Sequence, residues 1–420
     1  MKKVTALLLA ILMVATMMPM MAVAQEKKVL TVASWDTTTG GYLAATETAF
    51  EAAFPDVDLQ YVDVASQEYY IKTSAMLAGG DTTDVFDVKE LSDLQNWIAQ
   101  GYVDSLEDYI KADNYDLAPY VGMEKYYRGT DDAIYALPYR SDFWVLFYNK
   151  TLFDKAGVEY PTNDMTWDAY AELAKKMTSG EGVDKIYGTH YHTWLSAVAN
   201  WAVCDGVNTL ADGEYSDLKY FYDLYQSLED AGACMEYSEL KAANLHYKGA
   251  FETGNIAMLP MGYWFAATLI KDKAEGIFDF EWAITSVPHA EGVAAGSSFG
   301  SVTGAAINKN SDDKDLAWQF INWRCSEEGA KAIAAVGTRP AYVSEDVAAL
   351  MASAEGFPQD DNSKAALIPA AMSIEWPTGE KVSEIKTVIN EEHTSIMVRD
   401  ITVDEGIENM NTRVAEILGK

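Results

Sequence analysis

Residues 29–99 alternate short apolar strands with amphipathic helices, and this alternation constrains the fold more than any other feature of the chain. Residues 29–35 read as a strand. Residues 41–54 follow as a helix with Leu43, Phe50 and Phe54 on one face and Pro55 stopping it. A second strand over 57–64 alternates Val57, Leu59 and Tyr61. A helix from Ser66 to Leu77 then ends at Gly79-Gly80. Residues 84–88 form a third strand and 91–99 a third helix. Strand, helix, strand at this spacing is the pattern of a parallel, doubly wound sheet. Ligands of such sheets sit in the crevice outside the carboxyl ends of the strands. The first strand delivers Trp35-Asp36 to that end. An aromatic face beside a carboxylate suits a polyol, whose C–H groups lie on the ring while hydroxyls donate to the acid. A Trp at a strand end serves equally as core or rim, so this pair alone does not decide.

The N-terminus reads as an export signal. Lys2 and Lys3 precede an uncharged apolar run over 4–24, Pro19 interrupts it, and Ala22-Val23-Ala24 makes an A-x-A-like cleavage site before Gln25. The run is long enough to span a bilayer, which leaves an uncleaved anchor open. No Cys follows it, so lipoprotein attachment is not expected. The remaining chain, about 396 residues, exceeds what one core usually supports, and two domains are expected. Against 64 acidic residues stand 31 basic ones, a net charge of −33 spread along the chain. That balance argues against nucleic acid and anionic membrane surfaces as partners. With 49% hydrophobic and 12% aromatic residues the chain is folded rather than an acidic disordered segment. Three cysteines do not make a disulfide framework; a Cys204–Cys234 bridge stays open in an exported chain.

Residues 134–142 look extended and fit a chain leaving one domain. The nearly all-apolar 143–148 reads as a strand buried on both faces that begins a second α/β unit. Helices are expected over 151–156, 166–177, 194–203 and 218–231, and strands over 255–260 and 280–287. A Gly-punctuated strand spans 299–308, followed by helices over 314–323 and 326–336. Residues 357–363 look like a connector, and two helices, 382–399 and 403–418, close the chain.

The order of these segments resembles the family-1 extracellular solute-binding proteins of bacterial ABC importers, the group that includes maltose-binding protein. The resemblance spans nearly the whole chain after the leader. It rests on the first strand, on Leu77-Ala78-Gly79-Gly80 before Asp84-Val85-Phe86-Asp87-Val88, and on Ile134-Tyr135-Ala136-Leu137-Pro138 before Tyr148-Asn149-Lys150. It continues through Phe251-Glu252-Thr253-Gly254-Asn255, Met261-Gly262-Tyr263-Trp264, Gly304-Ala305-Ala306-Ile307-Asn308 and Thr402-Val403-Asp404-Glu405. The resemblance implies a two-lobed periplasmic-binding-protein-like α/β fold of type II, each lobe a doubly wound sheet flanked by helices, joined by a multi-strand hinge. By family position one lobe comprises 28–138 with 302–354, the other 142–299 with 366–420, and the crossings lie near 139–142, 299–302 and 355–365. It implies a sugar or oligosaccharide as ligand, permease subunits of an ABC importer as partners, a monomer, no cofactor, and a place in the periplasm or at the cell surface.

Candidate ligand contacts are Trp35 and Asp36 after the first strand and Ser66 and Gln67 after the second. Ser66 serves equally as a helix cap. Asp84 flanks the third strand, where a solvated turn is the plain alternative. Arg140 and Asp142 at the first crossing form either a hinge ion pair or a fork of donors and acceptors for hydroxyls. Gly300 and Ser301 line the second crossing. Trp264 is the foremost candidate, because the family commonly carries Trp there as a cleft platform and Gly262 permits close backbone approach. Tyr263, Trp201 and Trp376 are further aromatic candidates, and Arg339 resembles a family position near the cleft. His190-Tyr191-His192 has no third ligand nearby in sequence and makes a poor metal site. The chain carries no H-E-x-x-H and no P-loop. A non-sugar ligand such as a polyamine or metal complex, a secreted carbohydrate-active enzyme and a sensor subunit remain alternatives.

Overall fold

The computed structural model describes residues 27–420, apart from 36, 38–40, 121, 380 and the side chain of Gln67. The expected leader and its cleavage site lie outside the described residues.

Strand β1 (Lys28–Trp35) is the centre of the first sheet. It pairs in parallel with β2 (Val57–Val64) on one side and β3 (Val85–Val88) on the other, with Leu30 opposite Leu59 and Val32 opposite Val85. Helices Gly41–Ala53 and Tyr69–Ala78 make the crossovers. The helix Leu91–Gln100 stops at Gly101, whose φ of 68° is the left-handed ending that glycine accepts without strain.

Two long strands hold the molecule together. β4 (Leu137–Asn149) and β7 (Ser297–Ile307) run antiparallel, with Leu137 opposite Ala305 and Phe143 opposite Gly300. At one end β7 completes the first sheet by pairing with β3. At its other end β4 lies between β5 (Met258–Gly262) and β6 (Trp282–Ser286) and is antiparallel to both, so these pairings of the second sheet are antiparallel rather than the parallel ones of a doubly wound unit. β8 (Ala371–Ile374) adds in parallel to the start of β7.

The buried apolar residues form two separate cores. Tyr139 of β4 and Val302 of β7 belong to the first, with Val32, Phe50 and Phe86. Phe143 of β4 and Phe299 of β7 belong to the second, with Phe147, Leu259 and Ile284. The same two strands therefore leave one core and enter the other within a few residues. The segment expected in the first lobe through residue 354 leaves that core earlier: Val347 and Met351 pack in the second. The helix expected over 194–203 is broken into a short α-helix, Leu195–Val198, and a 3-10 helix, Asn200–Asp205. Residues 357–363, read as a connector, include the start of the helix Asp361–Ala365, capped by Asp360. All three cysteines are free, so no bridge joins Cys204 and Cys234. Among the described residues no helix is long and apolar enough to cross a membrane.

The closing helices bury a histidine. His393 is 2% exposed, its Nδ1 lies 3.2 Å from the Tyr222 hydroxyl, and its Nε2 has no partner. Burial holds its pKa down at about 3. The folded value lies below the free one, so its stabilisation is complete above about pH 6.5 and is lost as pH falls, at about 1.4 kcal/mol per unit. Relative to His393→Gln, the native protein should lose about 2 kcal/mol between pH 7 and pH 5 in urea unfolding. Parallel pH profiles for the two proteins would contradict this.

Candidate functional site

The carboxyl ends of the three parallel strands converge on one crevice. Trp35 closes β1, is 8% exposed and meets Tyr69 edge-on at 5.0 Å. Ser66 follows β2, while Lys89 and Glu90 follow β3. Lys89 Nζ donates to the Ser66 carbonyl at 2.6 Å and to its hydroxyl at 2.7 Å, and lies 5.5 Å from the Trp35 ring. These contacts tie the strand tips together.

The alternation of β4 sets the floor. Arg140 and Asp142 point into the crevice, whereas Ser141 between them accepts from Arg339 Nη1 at 2.6 Å and donates to the Pro340 carbonyl at 3.1 Å. The Arg140 guanidinium lies 4.8 Å from the Tyr42 ring and 5.7 Å from Trp35, with Nε 3.5 Å from Asp142 Oδ2. Asp142 is 3% exposed and its Oδ1 has no hydrogen-bond partner. Burial raises its pKa, while Arg140 and Arg339 pull it down. Gly300 crosses opposite, where a Cβ would sit 1.7 Å from the Asp142 carbonyl oxygen; only glycine allows β4 and β7 to cross so closely.

The second lobe supplies an aromatic wall. Trp264 opens the helix Trp264–Ala274 and donates from Nε1 to the Tyr247 hydroxyl at 3.1 Å. It meets Trp144 edge-on at 5.6 Å and Trp194 at 6.4 Å. A Cβ at Gly262 would fall 1.8 Å from the Trp264 ring, so that glycine is what lets the indole fold back over the strand. Beyond β8, Glu375 and Trp376 face the same space. Lys386, on the helix Val382–Met397, pairs with Glu90 at 2.9 Å and lies 5.5 Å from the Trp376 ring, joining the two lobes at the rim. Burial, then the Glu90 charge, raises Glu375 to about 7, and burial with Glu90 does the same to Asp93.

The cleft measures about 1000 Å³. Of the residues expected from sequence, Trp35, Ser66, Arg140, Asp142, Trp264, Gly300, Ser301 and Trp376 line it. Asp36 and the Gln67 side chain lie outside the described residues. Four others do not reach the cleft. Asp84 stands at the opposite end of β3, where its carboxylate accepts from Thr31 N at 2.9 Å and from Ser311 Oγ at 2.7 Å. Trp201 is core, packed at 4.9 Å on Trp167 and 5.1 Å on Phe299. Tyr263 is fully buried and stacks on Phe143 at 5.4 Å. Arg339 turns behind β4, 4.8 Å from the Phe143 ring. The cleft also takes in Tyr42, Tyr247 and Glu375, for which the sequence carries no signal beyond the neighbouring Trp376. No group of His, Cys, Asp or Glu able to hold a metal occurs among the described residues.

The family model of the bacterial extracellular solute-binding proteins matches residues 35–331. A sugar transporter from Rhizobium etli, solved in an open conformation, is 40% identical in sequence; the match covers 92% of this chain and 98% of that one, with a TM-score of 0.82. A binding protein of Brucella abortus (strain 2308) is 24% identical over 316 residues, 70% of this chain and 71% of its own. An sn-glycerol-3-phosphate-binding periplasmic protein of Agrobacterium fabrum matches a shorter stretch, 27% identical over 113 residues and 26% of either chain.

Proposed function

The chain belongs to the bacterial extracellular solute-binding proteins, and from that premise we propose that it captures a sugar or oligosaccharide between its lobes and hands it to the permease of an ABC importer. One observation carries the reading: Trp35 with Arg140–Asp142 on one side and Trp264 on the other line a single cleft between two separate cores. Aromatic faces bind the C–H surface of a sugar ring while Arg and Asp donate to and accept from its hydroxyls. A ligand touching both lobes binds the closed state better than the open one, and closure is then a population shift that a permease can read. The lobes move about β4 near 139–142 and β7 near 299–302, with the third connection downstream. The protein acts as an exported monomer, its leader removed after Ala24, without cofactor and without turnover. The 40% identity to a protein named as a sugar transporter supports the ligand class.

Thermal unfolding against a panel of neutral sugars and polyols tests this. A ligand at a hundred times its Kd adds about 2.7 kcal/mol to the folded state, a rise in Tm of several degrees. Absence of any shift across the panel, or hydrolysis of a labelled oligosaccharide at catalytic protein levels, would overturn the reading.

A further inference from the structure

We propose that the cleft selects an uncharged, hydroxyl-rich ligand and rejects its phosphorylated or carboxylated counterpart, with Asp142 as the residue that sets this specificity. The inference rests on the sugar-binding reading and narrows it.

Cationic groups at the cleft are already held by the protein. Arg140 is ion-paired with Asp142, Nε standing 3.5 Å from Oδ2 without a hydrogen bond, and its Nη2 donates to Thr303 Oγ1 at 3.4 Å. Lys89 is bound to Ser66, Lys386 to Glu90, Lys248 to Asp272 at 2.6 Å and Lys271 to Glu275 at 3.9 Å. One carboxylate oxygen is left unmet. Asp142 Oδ1 is buried, lines the cleft and accepts no hydrogen bond. Glu355 and Glu375 stand on the same cavity. A buried acceptor without a donor is costly until a donor arrives, and a ligand hydroxyl supplies one. The phosphate or carboxylate of an anionic ligand supplies none. That group places like charge beside Asp142 and must draw a cation from its existing partner to be neutralised. The partial match to a glycerol-phosphate-binding protein makes the distinction worth testing, because that ligand carries the group this cleft is built to refuse.

The test uses the full mature protein and two probe sets in calorimetry and thermal unfolding. One set holds neutral mono- to trisaccharides and polyols; the other holds hexose phosphates, sn-glycerol-3-phosphate, glucuronate and galacturonate. We expect at least one neutral probe to bind and every anionic probe to bind at least about 100-fold more weakly than the best neutral one. In Asp142→Asn, where the carboxamide keeps an acceptor and loses the charge, the neutral probe should weaken and the gap to its anionic counterpart should narrow at least tenfold. Asp142→Ser makes the same comparison if the first variant does not fold. An anionic probe within tenfold of the best neutral one in the native protein overturns the inference while leaving the solute-binding reading intact. An unchanged gap in the folded variant overturns the role of Asp142. Silence from both sets overturns the sugar reading, and this inference with it.

Discussion

Trp264→Ala should lower ligand affinity by about 2–4 kcal/mol, roughly 30- to 1000-fold, as expected when a large aromatic at the centre of a desolvated contact is truncated. The geometry gives the reason. The indole is held on three sides, by the Tyr247 hydroxyl at 3.1 Å, the edge of Trp144 at 5.6 Å and the near approach of Gly262. It therefore offers a ring that is already ordered, and the ligand does not have to immobilise it. Most of Trp264's value lies in the cleft rather than the core, since it is only partly buried against the second cluster. The ligand-free Tm should fall by far less than the ligand-induced shift does. Trp201→Phe is the matching control: a buried Trp packed on Trp167 and Phe299 should cost stability and leave the affinity of the folded protein near native. Retention of native affinity by Trp264→Ala would remove the second lobe's wall from the site.

Legibility in the sequence followed the range of the interactions. The β1–β3 unit was readable because its strands are short, its helices amphipathic and its breaks marked by Pro55 and Gly79-Gly80. Its strand ends then predicted Trp35 and Ser66 as cleft residues without reference to the rest of the chain. β4 was not readable as one strand. The polar Arg140-Ser141-Asp142 looks like a linker locally, because its partners come from far away: Thr303, Arg339 and Pro340 lie 163 to 199 residues downstream. The same distance hid the fates of neighbouring aromatics. Tyr263 and Trp264 are adjacent in sequence, yet one stacks under Phe143 and the other faces the cleft, a choice made by the turn from β5 into its helix rather than by composition. Asp84 stands just before β3 and Asp87 within it, and what separates them is the partner each register meets, Thr31 for one and Arg324 for the other.

That second register leads to the largest expected loss of stability. Arg324→Met should destabilise the protein by about 3–5 kcal/mol, because it strands a buried carboxylate. Arg324 and Asp87 are 2% and 0% exposed, joined by Nη1 to Oδ1 at 2.6 Å and Nη2 to Oδ2 at 3.3 Å. The guanidinium lies 3.5 Å from the Tyr139 ring centroid. Asp87 Oδ2 also accepts from Ser34 Oγ at 2.7 Å and from the Tyr139 hydroxyl at 3.1 Å. One ion pair thus ties β1, β3, β4 and the end of the helix Lys314–Arg324 immediately behind Trp35. Met fills much of the volume but leaves Asp87 charged with two neutral donors, far short of what a buried carboxylate requires. Urea unfolding at pH 7 measures the loss. Adding Asp87→Asn to Arg324→Met should return part of the loss, because a neutral amide replaces the stranded charge. A single variant within 1 kcal/mol of native at pH 7 would mean that water reaches Asp87, and that the strand tips of the cleft are held by the apolar core alone.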